Sequence, residues 1–195
     1  MSELIQLDEQ LFHLINSGMS NPFFDAIMPY WRSKYLWIPL YVFIISFLLI
    51  NFKKAGLFVM MGLFLTIGVS DFVSSNVIKK TVKRVRPCNT ELLTADMELR
   101  VHCGGGYSFT SSHATNHFAL ATFLTIVLGA FFKWIRIPLF LWAGSIAFGQ
   151  IYVGVHYPLD VFIGAIVGIL LGFITTKFYQ MTRFNQLPQY FTEAA

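Results

Sequence analysis

A histidine and an aspartate four residues apart are the first groups in this chain that can do chemistry. The stretch Gly149-Gln150-Ile151-Tyr152-Val153-Gly154-Val155-His156-Tyr157-Pro158-Leu159-Asp160 lies between two apolar runs. Pro158 suits the first turn of a helix, where its missing N–H leaves nothing unpaired. Asp160 then falls inside that first turn, where the helix dipole favours a carboxylate. His156 sits just ahead of the helix, within reach of Asp160. A carboxylate on one ring nitrogen fixes the tautomer and leaves a lone pair on the other. A nucleophilic or general-base histidine needs that arrangement. Taken alone, the same pair reads equally well as a helix cap.

Two other groups change that balance. Lys79 and Arg86 are seven residues apart with Lys83 between them, a spacing that puts all three on one helical face. Pro87 disfavours helical geometry at Arg86, so the helix is expected to open there. Cations at the end of an apolar run often serve only as interfacial anchors, which suits Lys80 and Arg84. Cations converging beside a serine-rich helix start suit a phosphate dianion. The run Tyr107-Ser108-Phe109-Thr110-Ser111-Ser112-His113 supplies such a start. Serine is a strong N-cap, and the free amides of a helix N-terminus bind anions. Ser111 and Ser112 are expected to cradle phosphate oxygens, with His113 projecting into the same pocket. Together these residues specify a phosphoryl transfer. Cations hold the phosphate, one histidine attacks phosphorus, and the second protonates the leaving oxygen and then activates water. Side chains and amides meet the charge, so no metal or other cofactor is expected.

The elements that position these groups follow from composition. The chain has 195 residues, 55% hydrophobic and only 12% charged, against about 25% charged in a soluble domain. With a mean hydropathy of +0.61, it reads as an all-α integral membrane bundle in one domain, 1–195. Residues 1–18 form an amphipathic helix, with Leu4, Leu7, Leu11, Leu14 and Ile15 at helical spacing. That helix lies in the membrane interface or packs on the bundle, and it lacks the basic-then-apolar pattern of a signal peptide. Residues 21–34 read as a turn-rich approach. About five transmembrane helices follow, near 35–50, 55–78, 112–132, 137–152 and 158–178. Asp71 lies at membrane depth and reads as a structural acceptor. The polar segment 79–111 is the active-site loop and 179–195 a polar tail. Counting crossings puts the basic cluster, the serine turn and the His156 turn on one membrane face. Lys53, Lys54, Lys133, Arg136, Lys177 and Arg183 fall in short loops on the other, which is expected to be cytoplasmic.

On these residues the chain resembles the type-2 phosphatidic acid phosphatase superfamily of membrane lipid phosphatases. Lys79, six residues and Arg86-Pro87 match its first motif. Ser111-Ser112-His113 matches the second, usually Pro-Ser-Gly-His, and His156 with Asp160 matches the third. The resemblance implies His156 as nucleophile, Asp160 as its orienting partner and His113 as general acid. Lys79, Arg86, Ser111 and the amides near Ser112 hold the phosphate. The family usually has Ser-Arg six residues before the nucleophile, where this chain has Gly149-Gln150. Gln150 then serves as a neutral phosphate donor, or another cation such as Lys83, Arg84 or Arg100 fills in.

The implied reaction is hydrolysis of a phosphate or pyrophosphate on a membrane lipid. Undecaprenyl pyrophosphate is the first expectation, and phosphatidylglycerophosphate or lipid A the alternatives. The expected partners are that lipid and the bilayer of a bacterial inner membrane, with the site outside and no nucleic acid bound. A lipid-phosphate binding or transport protein without turnover is a reading from another class. Cys88 and Cys103 are the only cysteines, and a disulfide between them is expected to stiffen the active-site loop. A zinc reading would use Cys88, His102, Cys103, His113 and His117.

Overall fold

The structure is a computed structural model that describes residues 2–90 and 96–182. Among these the regular secondary structure is all helical, with no strand. The helices are α1 (Ser2–Asn16), α2 (Pro22–Trp31), α3 (Ile38–Phe72), α4 (Lys79–Val82), α5 (Ser112–Val127), α6 (Arg136–Tyr152) and α7 (Pro158–Met181). A π-helical turn, Val73–Ile78, runs from α3 into α4. The polar tail lies outside the described residues from Arg183 onward.

Three stretches are long and apolar enough to cross a membrane: Ile38–Val82, Lys133–Tyr152 and Pro158–Met181. The first is two crossings. At Lys53 the backbone turns to φ 47°, and the chain reverses. Tyr41, Ile44 and Ile45 then share a groove with Met60, Leu63 and Ile67. Gly56 permits the reversal, because a Cβ there would lie 1.9 Å from the Leu48 carbonyl oxygen. α5 has only 16 residues, about 24 Å of helix, but it is the centre of the bundle. Its Ala114, Ala119, Ala121 and Phe123 are fully buried. Large apolar side chains such as Ile50, Phe64, Phe162 and Ile174 point outward and are exposed, as lipid-facing positions are. The all-α membrane bundle expected from composition is therefore the fold formed.

α5 and α7 meet along a seam of glycines. Gly164, Gly168 and Gly172 recur every fourth residue and face α5. Added Cβ atoms would lie 2.9 Å from the Ser111 carbonyl oxygen, 2.3 Å from that of Thr115 and 2.5 Å from that of Ala119. Small residues at this spacing let membrane helices approach to backbone contact. At the end of the seam the Ser111 N–H donates to the Asp160 carbonyl at 3.0 Å. The starts of α5 and α7 are thus held side by side, and His113 and the His156 turn with them.

Three expectations need correction. Residues 21–34 are mostly helix: Asn21 caps α2 by accepting from the Phe24 N–H at 3.0 Å. Pro22 occupies its first turn, and Pro29 lies inside without ending it. Lys79, Lys83 and Arg86 do not share a helical face. The helix stops at Val82, and Lys83 caps it at φ 54°, so Arg84 to Arg86 leave as extended chain. The helix expected over 112–132 ends at Val127. Of the two alternatives for α1, the structure shows the packing on the bundle. Leu4, Leu7, Leu11 and Leu14 are exposed, whereas Asp8, Phe12 and Asn16 are buried against the bundle.

Candidate active site

The ends of α4, α5, α6 and α7 enclose a polar cavity of about 440 Å³. Lys79, Arg86, Ser112, His113, Gln150 and His156 all line it, though they come from points up to 77 residues apart in the chain (79 to 156). Of the residues expected at the site, only Ser111 and Asp160 are absent from the cavity wall.

His156 stands in the turn between α6 and α7 and is 3% exposed. Its Nδ1 is 3.5 Å from Asp160 Oδ2 and 3.3 Å from Ser108 Oγ. The Ser108 hydroxyl in turn donates to Asp160 Oδ2. Asp160 is held at several points. The Tyr157 N–H donates to Oδ2 at 2.9 Å, and Arg84 Nη1 donates to Oδ1 at 2.9 Å. The other ring nitrogen, Nε2, is 3.4 Å from Arg86 Nη1 on the cavity side. Burial lowers the His156 pKa from 6.5 to about 4, with Asp160 pulling the other way. The ring is therefore neutral at pH 7, with Nδ1 engaged and Nε2 carrying the lone pair.

Lys79 Nζ donates to the carbonyls of Tyr107 at 2.9 Å and Ser108 at 3.3 Å. Arg86 donates to the carbonyls of Gly106 at 3.3 Å and Val155 at 3.1 Å. Among the described residues neither makes an ion pair. The π-helical turn helps to aim Lys79. The Lys79 N–H reaches back five residues to the Ser74 carbonyl, and Ser75 joins Lys79 on the cavity wall. Gly104, Gly105 and Gly106 form the opposite lip.

Ser112 lines the cavity, with its hydroxyl 3.1 Å from that of Ser75. His113 follows in the first turn of α5. Among the described residues its ring makes no hydrogen bond to protein, and it stacks on His117 one turn further, centroids 6.3 Å apart. Ser111 differs from expectation. It is fully buried, its Oγ accepts from the Ala114 N–H at 3.4 Å, and it does not face the cavity. Its hydroxyl is occupied by capping α5, so Ser112 alone of the pair presents one to an anion. Asp71 lies off the site and accepts from Asn116 at 3.1 Å.

Cys88 and Cys103 are joined by a disulfide, with Cα atoms 5.9 Å apart. It closes the loop between Arg86 and the glycine lip and leaves no thiolate for the zinc reading.

The cations offered as substitutes at Gln150 are placed elsewhere. Arg84 is paired with Asp8 and Asp160 at 2.6 and 2.9 Å. Arg100 is paired with Asp25 at 2.5 Å and Glu98 at 2.6 Å. Lys83 is exposed and does not line the cavity. The cation beside Gln150 is Arg32, at the end of α2, whose Nε donates to Gln150 Oε1 at 3.0 Å. Arg32 carries no motif, and its contact spans 118 positions, so local spacing gave no sign of it. Ser108 was also missed as a contributor, because four hydroxyl residues in one short run look alike until the fold aims them.

A family model described as the PAP2 superfamily matches residues 55–184. The chain is 37% identical over 168 residues to a lipid A 4'-phosphatase of Bacteroides thetaiotaomicron, covering 85% of this chain and 73% of that one. It is 29% identical over 177 residues to an undecaprenyl-diphosphatase of Sulfolobus acidocaldarius, covering 89% and 79%. Its fold matches the crystal structure of a PAP2-type phosphatidylglycerolphosphate phosphatase from Bacillus subtilis. The TM-score is 0.72 and the identity 24%, over 94% of this chain and 90% of that one.

Proposed function

The chain belongs to the PAP2 superfamily, and from that premise we propose how its cavity works and on which lipid. It is a membrane lipid phosphatase, and His156 is the nucleophile. Nε2 attacks phosphorus, forming an N–P bond as the P–O bond to the lipid breaks. His113 gives the leaving oxygen its proton. Water then attacks the phosphohistidine while His113 takes up a proton, and the N–P electron pair returns to Nε2. Asp160, with Ser108, keeps Nδ1 protonated and the ring fixed. Lys79, Arg86, Ser112 and the free amides of α5 hold the non-bridging oxygens.

One observation carries this reading. The His156 ring is clamped at Nδ1 by Ser108 and Asp160, while its lone pair opens onto a cavity holding unpaired cations and a second histidine. His156→Ala is expected to abolish phosphate release from a detergent-dispersed lipid phosphate. EDTA is expected to leave the wild-type rate unchanged. Full activity in His156→Ala would end the assignment.

For the substrate, the 37% relative shifts the order expected from sequence. A lipid phosphomonoester of the lipid A 4'-phosphate kind comes first, and undecaprenyl pyrophosphate second, on the 29% relative. Phosphate released from both lipids and from phosphatidylglycerophosphate decides between them. At least tenfold higher kcat/KM on undecaprenyl pyrophosphate would restore the original order. Tight binding without release from any lipid would favour a binding or transport protein.

The setting proposed is the inner membrane with the cavity outside. The disulfide, which requires an oxidising compartment, and the cations of the opposite short loops support it. Lys54→Cys is expected to resist an impermeant maleimide in intact cells, and rapid labelling would reverse the orientation.

A further inference from the structure

Resting on the phosphatase reading above, we propose that Arg32 is a third phosphate-binding cation, and that Gln150 is the residue that positions it. Arg32 lines the cavity with Lys79 and Arg86. Its Nε is spent on Gln150 Oε1 at 3.0 Å. Among the described residues no carboxylate pairs with it, and both terminal nitrogens are without a protein partner. A guanidinium has five N–H donors in a planar fork, so four remain for an anion.

The placement is rigid, which separates it from a chance surface arginine. The end of α2 is docked on α6 by Trp31, whose Nε1 donates to Ser145 Oγ at 2.9 Å. Trp37 then ties the following turn back, its Nε1 donating to the Trp31 carbonyl at 2.8 Å. The approach is close at Gly149: a Cβ there would make ordinary contact, 3.5 Å from Arg32 Cβ and 3.7 Å from Met28 Sδ. Any longer side chain at 149 would press on the end of α2. Gln150 is fully buried on the last turn of α6. Its amide oxygen faces the guanidinium, while its NH2 reaches only the Ile146 carbonyl, at 3.5 Å. Gln150 is thus oriented as an acceptor for Arg32, not as a donor to phosphate.

Burial lowers the Arg32 pKa, and the charge of Arg86 adds to the effect. Arg32 and Arg86 thus line one cavity with no ion pair to either among the described residues, and a phosphate bound there would relieve their repulsion. Positive charge reaches this wall of the cavity from α2, and α6 contributes the neutral anchor.

Moving the charge across the pair is the test. Phosphate release from a lipid phosphate and inhibition by orthovanadate are measured for wild type, Arg32→Gln, Gln150→Arg and the double swap, with thermal unfolding in detergent alongside. Arg32→Gln is expected to lose about ten- to hundredfold in kcat/KM, the worth of a charged hydrogen bond, and to weaken vanadate by a similar factor. Gln150→Arg alone is expected to lose at least tenfold, by setting two guanidiniums against each other. The swap is expected to recover to within about fivefold of wild type. Arg32→Gln within twofold of wild type, or a swap no better than the product of the single losses, overturns the proposal. If Arg32→Gln yields no folded protein, the swap decides alone: activity within fivefold supports the proposal, and inactivity overturns it. His156→Ala separates the two claims. An active Arg32→Gln beside a dead His156→Ala sinks only the role of Arg32, whereas an active His156→Ala removes the phosphatase reading itself.

Discussion

Adding one methyl group at Gly168 is expected to slow the enzyme without touching its cavity. The Cβ of Gly168→Ala would lie 2.3 Å from the Thr115 carbonyl oxygen, 3.0 Å from Phe118 Cβ and 3.1 Å from the Ala119 nitrogen. Ordinary carbon contacts are about 3.5 Å, and two of these three neighbours are backbone atoms that cannot swing aside. α5 and α7 must part by roughly 1 Å, and overpacking of this kind costs about 1–3 kcal/mol. The displacement acts on the Ser111–Asp160 backbone bond of 3.0 Å that aligns the two histidine-bearing ends. A misplacement of about 1 Å at reacting groups costs on the order of a hundredfold, and Gly168 is one turn beyond the contact nearest the site. A ten- to hundredfold loss of kcat is therefore expected, with a lower melting temperature in detergent. Gly172→Ala meets a similar obstacle, 2.5 Å from the Ala119 carbonyl oxygen, but further from the cavity. It should lose comparable stability and keep more of its kcat. Gly144→Ala is the control, since its Cβ meets nothing within 4 Å; it should be neutral or up to about 1 kcal/mol more stable. Wild-type kcat and melting temperature in Gly168→Ala would refute the seam as the device that aligns the site.

Further tests address the groups behind the cavity. Asp8→Asn removes the 2.6 Å ion pair with Arg84 and weakens the acceptor for the Leu159 N–H at 2.8 Å. About tenfold lower kcat and roughly 1–3 kcal/mol less stability are expected, measured by phosphate release and thermal unfolding. An unaltered variant would show that α1 does not support Asp160. Reducing the Cys88–Cys103 disulfide, 15 residues apart in sequence, should cost about 3 kcal/mol and lower activity by loosening Arg86. Two alkylatable thiols in unreduced protein from the membrane would refute the bridge. His156 gives a pH signature. Its folded pKa of about 4 lies below the ordinary 6.5, so the unfolded chain takes up the proton first as pH falls. Stability is unaffected above pH 6.5 and is lost progressively from 6.5 down to about 4. The total is about 3 kcal/mol, and the slope should flatten in His156→Gln. An equal slope in wild type and variant would show that His156 is not buried neutral.

Much of this was legible in the sequence, for local reasons. The spacings of Lys79 to Arg86, Ser112 to His113 and His156 to Asp160 are short, and apolar run lengths set which membrane face each reaches. Counting crossings was therefore enough to expect them in one place. What escaped depends on contacts between distant segments. Arg32 and Gln150 meet only because α2 docks on α6. The helix over 22–31 was hidden by its two prolines, one in the first turn where proline is tolerated. Ser108 and Ser111 are chemically identical, and only the fold decides which turns to Asp160 and which caps α5. The exposed leucines of α1 gave its periodicity, but the functional face is the opposite one, where Asp8 and Asn16 break the apolar pattern.

That opposite face of α1 has a practical consequence. The amino-terminal segment resembles a detachable float, yet it is wired to the chemistry: Asp8 grips both Arg84 and the start of the helix bearing Asp160, and Asn16 fastens Glu98 to Tyr152. Trimming residues 2–16, or crowding them with a bulky fusion partner, would unseat the Asp8–Arg84 ion pair and loosen the start of α7. An inactive preparation made that way would say nothing about the cavity.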